Sequence, residues 1–294
     1  MFKVKKSNFI PRKDPTRLMV LERIAAAEAA GTFDVDVEDD IPSPKVELKN
    51  VDFLKNHPMS GFFAHIATKQ GQKFQEGILK RGEVVFGPVV GRENVDGFWG
   101  GAVITCNHVH IIDNYCVNKG LAPSFYKGGN KKKVSKRKAR KNFILWKVVK
   151  ESNWYLPPPI GWFVRHAFTL PISTTNLRLT AGCVKATKTL LERGEKVLVY
   201  PEQSMWWMYR RPRPLKNGAF LIAARARVPI IPCFIELRDT NAVGVDGFPV
   251  QEFILHVMPL IRPDENLTEK ENAEKMRLEN EKCWKKFDGP KTTE

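Results

Sequence analysis

The sequence predicts an α/β protein: a mixed, largely parallel sheet flanked by helices, with a helical region ahead of it. Two observations carry this. From about Val84 onward, short runs rich in β-branched and aromatic residues alternate with amphipathic helical segments, the pattern of strands joined by crossover helices. In addition, 43% of the 294 residues are hydrophobic against 27% charged, enough apolar side chain for a packed core and too much for a disordered chain. The chain divides into a helical region at 1–83, an α/β core at 84–262 and a closing helix at 263–294.

The elements follow in order. Asp14 is placed to cap a helix with Pro15 in its first turn and Gly31 at its end; Leu18, Leu21, Ile24 and Ala25 give it a narrow apolar face. An acidic connection follows, with seven acids against two lysines between Thr32 and Phe53. Phe62, Phe63, Ile66, Phe74, Ile78 and Leu79 then mark one or two helices before Arg81. Strands are expected at Ala102 to Cys106, Phe143 to Val149, Phe168 to Ile172, Lys196 to Tyr200, Val228 to Leu237 and Glu252 to Val257. Between them, Leu179 to Arg193 is an amphipathic helix closed by Gly194, and Asn217 to Arg227 is a second helix with an apolar face. Thr268 and Glu271 form a capping box that opens a helix running to about Phe287.

Charge is the unusual feature. Lys and Arg number 48 against 32 acids, a net +16, which points to an anionic partner. The excess is local: Lys119 to Lys150 holds ten Lys, two Arg and no acid, densest from Lys131 to Lys141 after a Gly-Gly pair, as expected of an exposed loop. That block has no aromatics between Tyr126 and Phe143 and no nucleic-acid motif accompanies it, which disfavours a nucleic-acid partner; a membrane-surface scaffold without catalysis stays as the alternative to an enzyme. No stretch approaches the roughly 18 apolar residues of a spanning helix, so any membrane role is peripheral. Five cysteines, an odd number set mostly in apolar runs, fit buried thiols in a cytoplasmic protein.

Two constellations carry chemistry, each at the end of an expected strand. Cys106-Asn107-His108-Val109-His110-Ile111-Ile112-Asp113 follows AVIT. His108 and Asp113 are five residues apart and meet only if the chain turns between them; a carboxylate on one imidazole nitrogen then leaves the other as a general base for a hydroxyl. The same segment offers a metal set of His108, His110, Asp113 and Cys106, disfavoured because no second Cys/His cluster exists. A Cys106 nucleophile is disfavoured by its apolar strand. Tyr200-Pro201-Glu202-Gln203-Ser204 stands where the expected strand Lys196 to Tyr200 ends, and the aromatic and basic run Met205 to Lys216 suits a ligand with an apolar tail and an anionic head. The alternative is that Trp206 and Trp207 are core and the arginines solvated.

Asn107-His108 with Asp113, then Pro201-Glu202, Lys216-Asn217-Gly218-Ala219 and Val228-Pro229-Ile230-Ile231-Pro232, in this order and spacing, resemble the signature blocks of the glycerolipid acyltransferases, the lysophosphatidic acid acyltransferase superfamily. The likeness covers roughly Gly100 to Pro259 and is similar along most of the chain to a bacterial subgroup without a transmembrane anchor.

The resemblance implies that His108 deprotonates a lysophospholipid hydroxyl that attacks an acyl thioester, with Asp113 orienting the imidazole. It further implies substrate contacts from Asn107, Glu202, Ser204 and Lys216, with Glu202 and its neighbours in the block tied to acceptor binding and VPIIP in the block near the acyl donor and chain, and neither a metal nor a cofactor beyond acyl-CoA or acyl carrier protein as co-substrate. The expected partners are lysophospholipid, an anionic membrane surface on its cytoplasmic face and, through the basic loop, the acidic acyl carrier protein. Two departures stand out. Gln203-Ser204 replaces the usual Gly-Thr after Pro-Glu, and Thr174 stands where the second block normally ends in an arginine, leaving Arg178 or Arg210 as substitutes.

Overall fold

The computed structural model describes residues 12–40, 42–126 and 143–289; the run Lys131 to Lys141 lies outside them. One seven-stranded sheet has the order β1 (Val84–Val90), β7 (Pro249–Val257), β6 (Ile230–Val243), β2 (Ala102–Thr105), β5 (Lys196–Val199), β3 (Leu145–Lys150) and β4 (Thr169–Ile172). Neighbours are parallel except β6 and β7, which form an antiparallel hairpin.

The pleat sends alternate residues to opposite faces. Val103, Val197 and Ile230 point to one face, covered by α5 (Leu177–Glu192), α6 (Gly218–Ala226) and α7 (Glu269–Lys285) through Leu190, Phe220, Met276 and Trp284. Ile104, Leu198 and Ile231 point to the other, covered by α3 (Asp113–Tyr126) and the end of α2 (Pro58–Arg81) through Cys116, Leu121 and Ile78. Each fully buried apolar side chain of this size contributes about 1.5–3 kcal/mol, so the two layers fix the sheet from both sides.

Helix α1 (Pro15–Ala30) begins and ends where its cap residues require. Asp14 Oδ1 accepts the Thr16 N–H at 2.8 Å, and Gly31 adopts φ 68°, a left-handed conformation that costs glycine little. Its buried face differs from the expected one: Val20, Ile24 and Ala27 pack on Trp206, Trp207 and Phe248, while Leu18 and Ala25 are exposed. The rings of Trp206, Trp207 and Phe248 set which face is buried, one residue round from the Leu18 stripe. Residues 58–81 form one helix, and the Thr268–Glu271 capping box is present in full.

Three elements had weak sequence signals. Strand β1, VVFGPVV, contains a glycine and a proline, tolerated because it is an edge strand with a register break between Phe86 and Val89. Helix α3 carries Gly120 and Pro123, and α4 (Ile160–His166) has only seven residues after a proline run. Strand β6 extends to Val243, well past Leu237, because the hairpin with β7 continues its ladder.

Candidate active site

Strands β2 and β5 lie side by side with Thr105 opposite Val199, so their carboxyl ends open into one crevice, where ligands gather in open α/β sheets. The segment leaving β2 turns and enters α3 with Asp113 as the first helical residue. Asp113 is fully buried; its Oδ2 accepts the Val109 and His110 N–H groups at 2.7 and 2.9 Å and sits 2.8 Å from His108 Nδ1. Two N–H donors from the turn ahead of the helix fix this carboxylate in place. With Nδ1 engaged, His108 Nε2 has no hydrogen-bond partner among the described residues, and the side chain keeps 22% of its surface exposed, enough to meet a substrate.

The residue leaving β5 supports the imidazole. Tyr200 stacks on His108 with ring centroids 3.9 Å apart and planes 9° apart. Burial, followed by the nearby Asp113 charge, pushes the Tyr200 phenol well above the usual range, so it stays protonated. Glu202 is 2% exposed, and its carboxylate is spent inside the protein: Oε2 accepts the His108 N–H at 3.3 Å and pairs with Arg213 at 3.1 Å, and Oε1 accepts the Arg213 N–H at 2.9 Å. The Trp206 and Met208 N–H groups donate to the carbonyls of His108 and Val109, sewing the two loops together. Asn107, 1% exposed, acts as an extra rung on β6, giving its amide to the Ile235 carbonyl and accepting the Ile235 N–H. In this structure Asn107 thus ties the start of the loop to β6 and Glu202 holds the His108 N–H, where the resemblance implied substrate contacts.

The remaining candidates scatter. Ser204 Oγ donates to the Val35 carbonyl, and Lys216 pairs with Asp34 at 3.1 Å. Arg210 pairs with Asp239 and donates to Gln251 at 2.8 Å, on the β6–β7 side. Arg178 is exposed on the first turn of α5, beyond β4, so Arg178 and Arg210 lie on opposite sides of the crevice. His110 turns inward: its Nδ1 accepts the Ile112 N–H, its ring edge meets Phe253, and burial lowers its pKa. Burial pushes the Cys106 thiol well up, with Cys233, Asp113 and Glu202 adding to the shift, which disfavours a thiolate.

The acidic connection proves to be part of the site's wall. Residues 33–40 cross the ends of β5 and β3: the Phe33 carbonyl accepts from Arg213, Val35 from Trp206 Nε1 at 3.1 Å, and Val37 is buried. Asp36 and Asp40 both pair with Lys150, at 2.7 and 2.5 Å, while Asp34 holds Lys216. The sequence marks this segment as acidic and the loops as basic, but gives no sign of which charges meet.

The fold and site define a class: an α/β sheet with an Asp-oriented histidine at the carboxyl ends of two central strands and no covalent nucleophile beside it among the described residues. The family model described as Acyltransferase matches residues 88–236, just over half of the chain, and the protein belongs to that family. It is 30% identical over 102 residues to a chloroplastic 1-acyl-sn-glycerol-3-phosphate acyltransferase of Brassica napus, covering 35% of this chain and 29% of that protein. It is 24% identical over 159 residues to a 1-acyl-sn-glycerol-3-phosphate acyltransferase of Chlamydomonas reinhardtii, covering 54% and 40%. The matches thus span less than half the length of these relatives. Among solved structures, the 1-acyl-sn-glycerophosphate acyltransferase PlsC of Thermotoga maritima aligns with a TM-score of 0.49 and 15% identity, covering 95% of this chain and 98% of that one.

Proposed function

We propose that the protein transfers a fatty acyl group from acyl-CoA or acyl carrier protein to a free hydroxyl of a lysoglycerophospholipid such as lysophosphatidic acid, in phospholipid biosynthesis or remodelling. The observation that carries this reading is the 2.8 Å contact of His108 Nδ1 with buried Asp113, which leaves Nε2 without a partner among the described residues at the mouth of the crevice. Nε2 takes the proton of the acceptor hydroxyl as its oxygen attacks the thioester carbonyl carbon. The imidazolium that forms is stabilised by Asp113. Collapse of the tetrahedral intermediate breaks the carbon–sulfur bond, and the thiolate leaves with the proton returned from His108, so charge and protons balance without an acyl-enzyme.

The test is transfer of a labelled acyl chain to lysophosphatidic acid by the protein and by His108→Ala. Transfer that falls at least about 10³-fold in the variant supports the reading; equal transfer by both would refute the role of His108, and no transfer to any lysolipid by the unmutated protein would refute the activity. Parallel assays with acyl-CoA and acyl carrier protein identify the donor.

The site is read as working at the cytoplasmic face of a membrane without crossing it. No helix among the described residues is long and apolar enough to span a bilayer, and the basic run at residues 131–141 supplies charge for an anionic surface. Flotation with liposomes of graded anionic lipid, with and without those residues, tests this; binding indifferent to both would count against it.

A further inference from the structure

Beyond the β4 edge of the sheet, residues 46–60 cross α4 and the 3₁₀ turn Glu151–Tyr155 and enclose a cavity of about 350 Å³ lined by Lys55, Ser60, Trp154, Tyr155, Arg165 and His166, among others. β4 is three strand positions from β2, on the order of 14 Å, so this cavity is separate from the His108 crevice.

Its charges are poorly compensated. Lys55 Nζ donates to the Arg165 carbonyl at 3.4 Å, and Arg165 Nη1 donates to the Trp154 carbonyl at 2.6 Å; among the described residues neither forms an ion pair. The His166 ring lies between Trp162 and Phe63, 5.1 and 6.0 Å away, and makes no hydrogen bond among the described residues. Asp52, the carboxylate lining the cavity, is occupied: its oxygens accept the Asn56 and His57 N–H groups at 3.2 and 3.1 Å, fixing the entry to α2. Burial lowers the pKa of Lys55 although Asp52 opposes it, and burial, Lys55 and Arg165 together lower that of His166. Lys55 and Arg165 therefore repel each other in one concave site, beside a His166 held towards its neutral form, and all three keep spare donors.

An anion with several oxygens would relieve that repulsion. A guanidinium fork, an ammonium and an imidazole match a tetrahedral oxyanion better than a planar carboxylate, which one Arg would satisfy. We propose that this cavity binds a phosphate group, with Arg165, Lys55 and His166 donating to its oxygens. The group comes either from free phosphate or from a phospholipid head; Met59 and Phe62, exposed on the first turns of α2 beside the cavity, would meet the lipid in the second case.

The test follows the C2–H resonance of His166, assigned by its loss in His166→Gln, in the full chain titrated with inorganic phosphate against a chloride-matched control. Phosphate is expected to shift this resonance and raise the apparent pKa of His166, and Lys55→Gln to weaken binding about tenfold. Lys55 is on a turn, so its variant should fold; Arg165→Gln loses a bond to Trp154 and is read only where circular dichroism is unchanged. Flotation with phosphatidylcholine vesicles, with and without phosphatidate, separates the sources. Phosphatidate-dependent flotation weakened by Lys55→Gln and competed by inorganic phosphate identifies a head group; a His166 response with unaltered flotation identifies free phosphate. No His166 response together with unaltered flotation, or a response that both variants leave intact, would overturn the proposal. Neither readout uses acyl transfer, so the outcome is independent of the proposed activity.

Discussion

His108 lies flat against Tyr200, ring on ring at 3.9 Å, so the strand next to β2 fixes the plane in which the imidazole sits. Asp113 fixes one nitrogen and Tyr200 the ring plane; together they set the direction of Nε2. Tyr200→Phe keeps the ring and is expected to retain kcat within about threefold. Tyr200→Ala frees the imidazole to tilt, and misplacement by about 1 Å costs on the order of 10²-fold in kcat. Steady-state acyl transfer by the two variants separates a stacking role from one that needs the hydroxyl.

Asp113 does two jobs through one oxygen, and one substitution divides them. Asp113→Asn can still accept the Val109 and His110 N–H groups, so the fold survives with Tm lower by a few degrees. It cannot stabilise an imidazolium and it loosens the choice of tautomer, so kcat is expected to fall by about 10³-fold or more, as in other His–carboxylate pairs. Thermal unfolding and kinetics on one preparation check both halves.

The Glu202–Arg213 pair has side chains only 1% exposed on each partner, so each charge depends on the other. Removing one leaves a buried charge unmatched, and Glu202→Gln or Arg213→Met should each cost about 3–5 kcal/mol. The double variant should cost clearly less than the sum, because neither charge remains. Urea unfolding of the three variants gives the cycle; additive costs would mean the pair is not coupled.

The acidic strap is held differently. Its ion pairs to Lys150 and Lys216 are between side chains 42–60% exposed, so solvent screens them and they hold the segment weakly, whereas Val37 and the carbonyls of Phe33 and Val35 are anchored inside. Changing Asp34, Asp36 and Asp40 together to Asn should leave Tm within a few degrees. It should also lower KM for an anionic lysolipid several-fold, by freeing two cations beside the crevice. Kinetics at low ionic strength, where exposed charges are least screened, provides the check.

How far such details could be read in the sequence depends on whether the signal is local. Asp14, Gly31 and the Thr268–Glu271 box fixed helix ends because a cap acts within four residues. The alternation after Val84 placed the central strands because buried parallel strands are apolar throughout. The NHxxxxD spacing marked His108 and Asp113 because both lie on one turn. Tyr200 on His108, Arg213 on Glu202, Asn107 on Ile235 and Asp36 on Lys150 were out of reach, since each joins segments 11 to 128 residues apart. Nothing in the run Arg210 to Arg213 distinguishes the buried arginine from its neighbours: Arg213 is buried because Glu202 and the Trp206 ring are opposite it.

Lys147 shows how such a hidden placement becomes a pH dependence. It sits on β3 opposite Leu198, on the face shared with Leu145 and Leu198, and burial brings its pKa from 10.5 down to about 8. The folded protein therefore releases this proton near pH 8, while the unfolded chain keeps it to about 10.4. Between those values the unfolded state binds more protons, so this residue's contribution to stability rises with pH; below about 8 both states carry the charge and the folded one bears the cost of burying it. Lys147→Met should accordingly be more stable than the parent protein at pH 7, with the gap narrowing as pH rises from 8 to 10 and nearly gone above that. Urea midpoints of parent and variant across this range provide the measurement. A gap that stays constant with pH would mean that the ammonium is solvated, and one of opposite sign that an unassigned anion pairs with it.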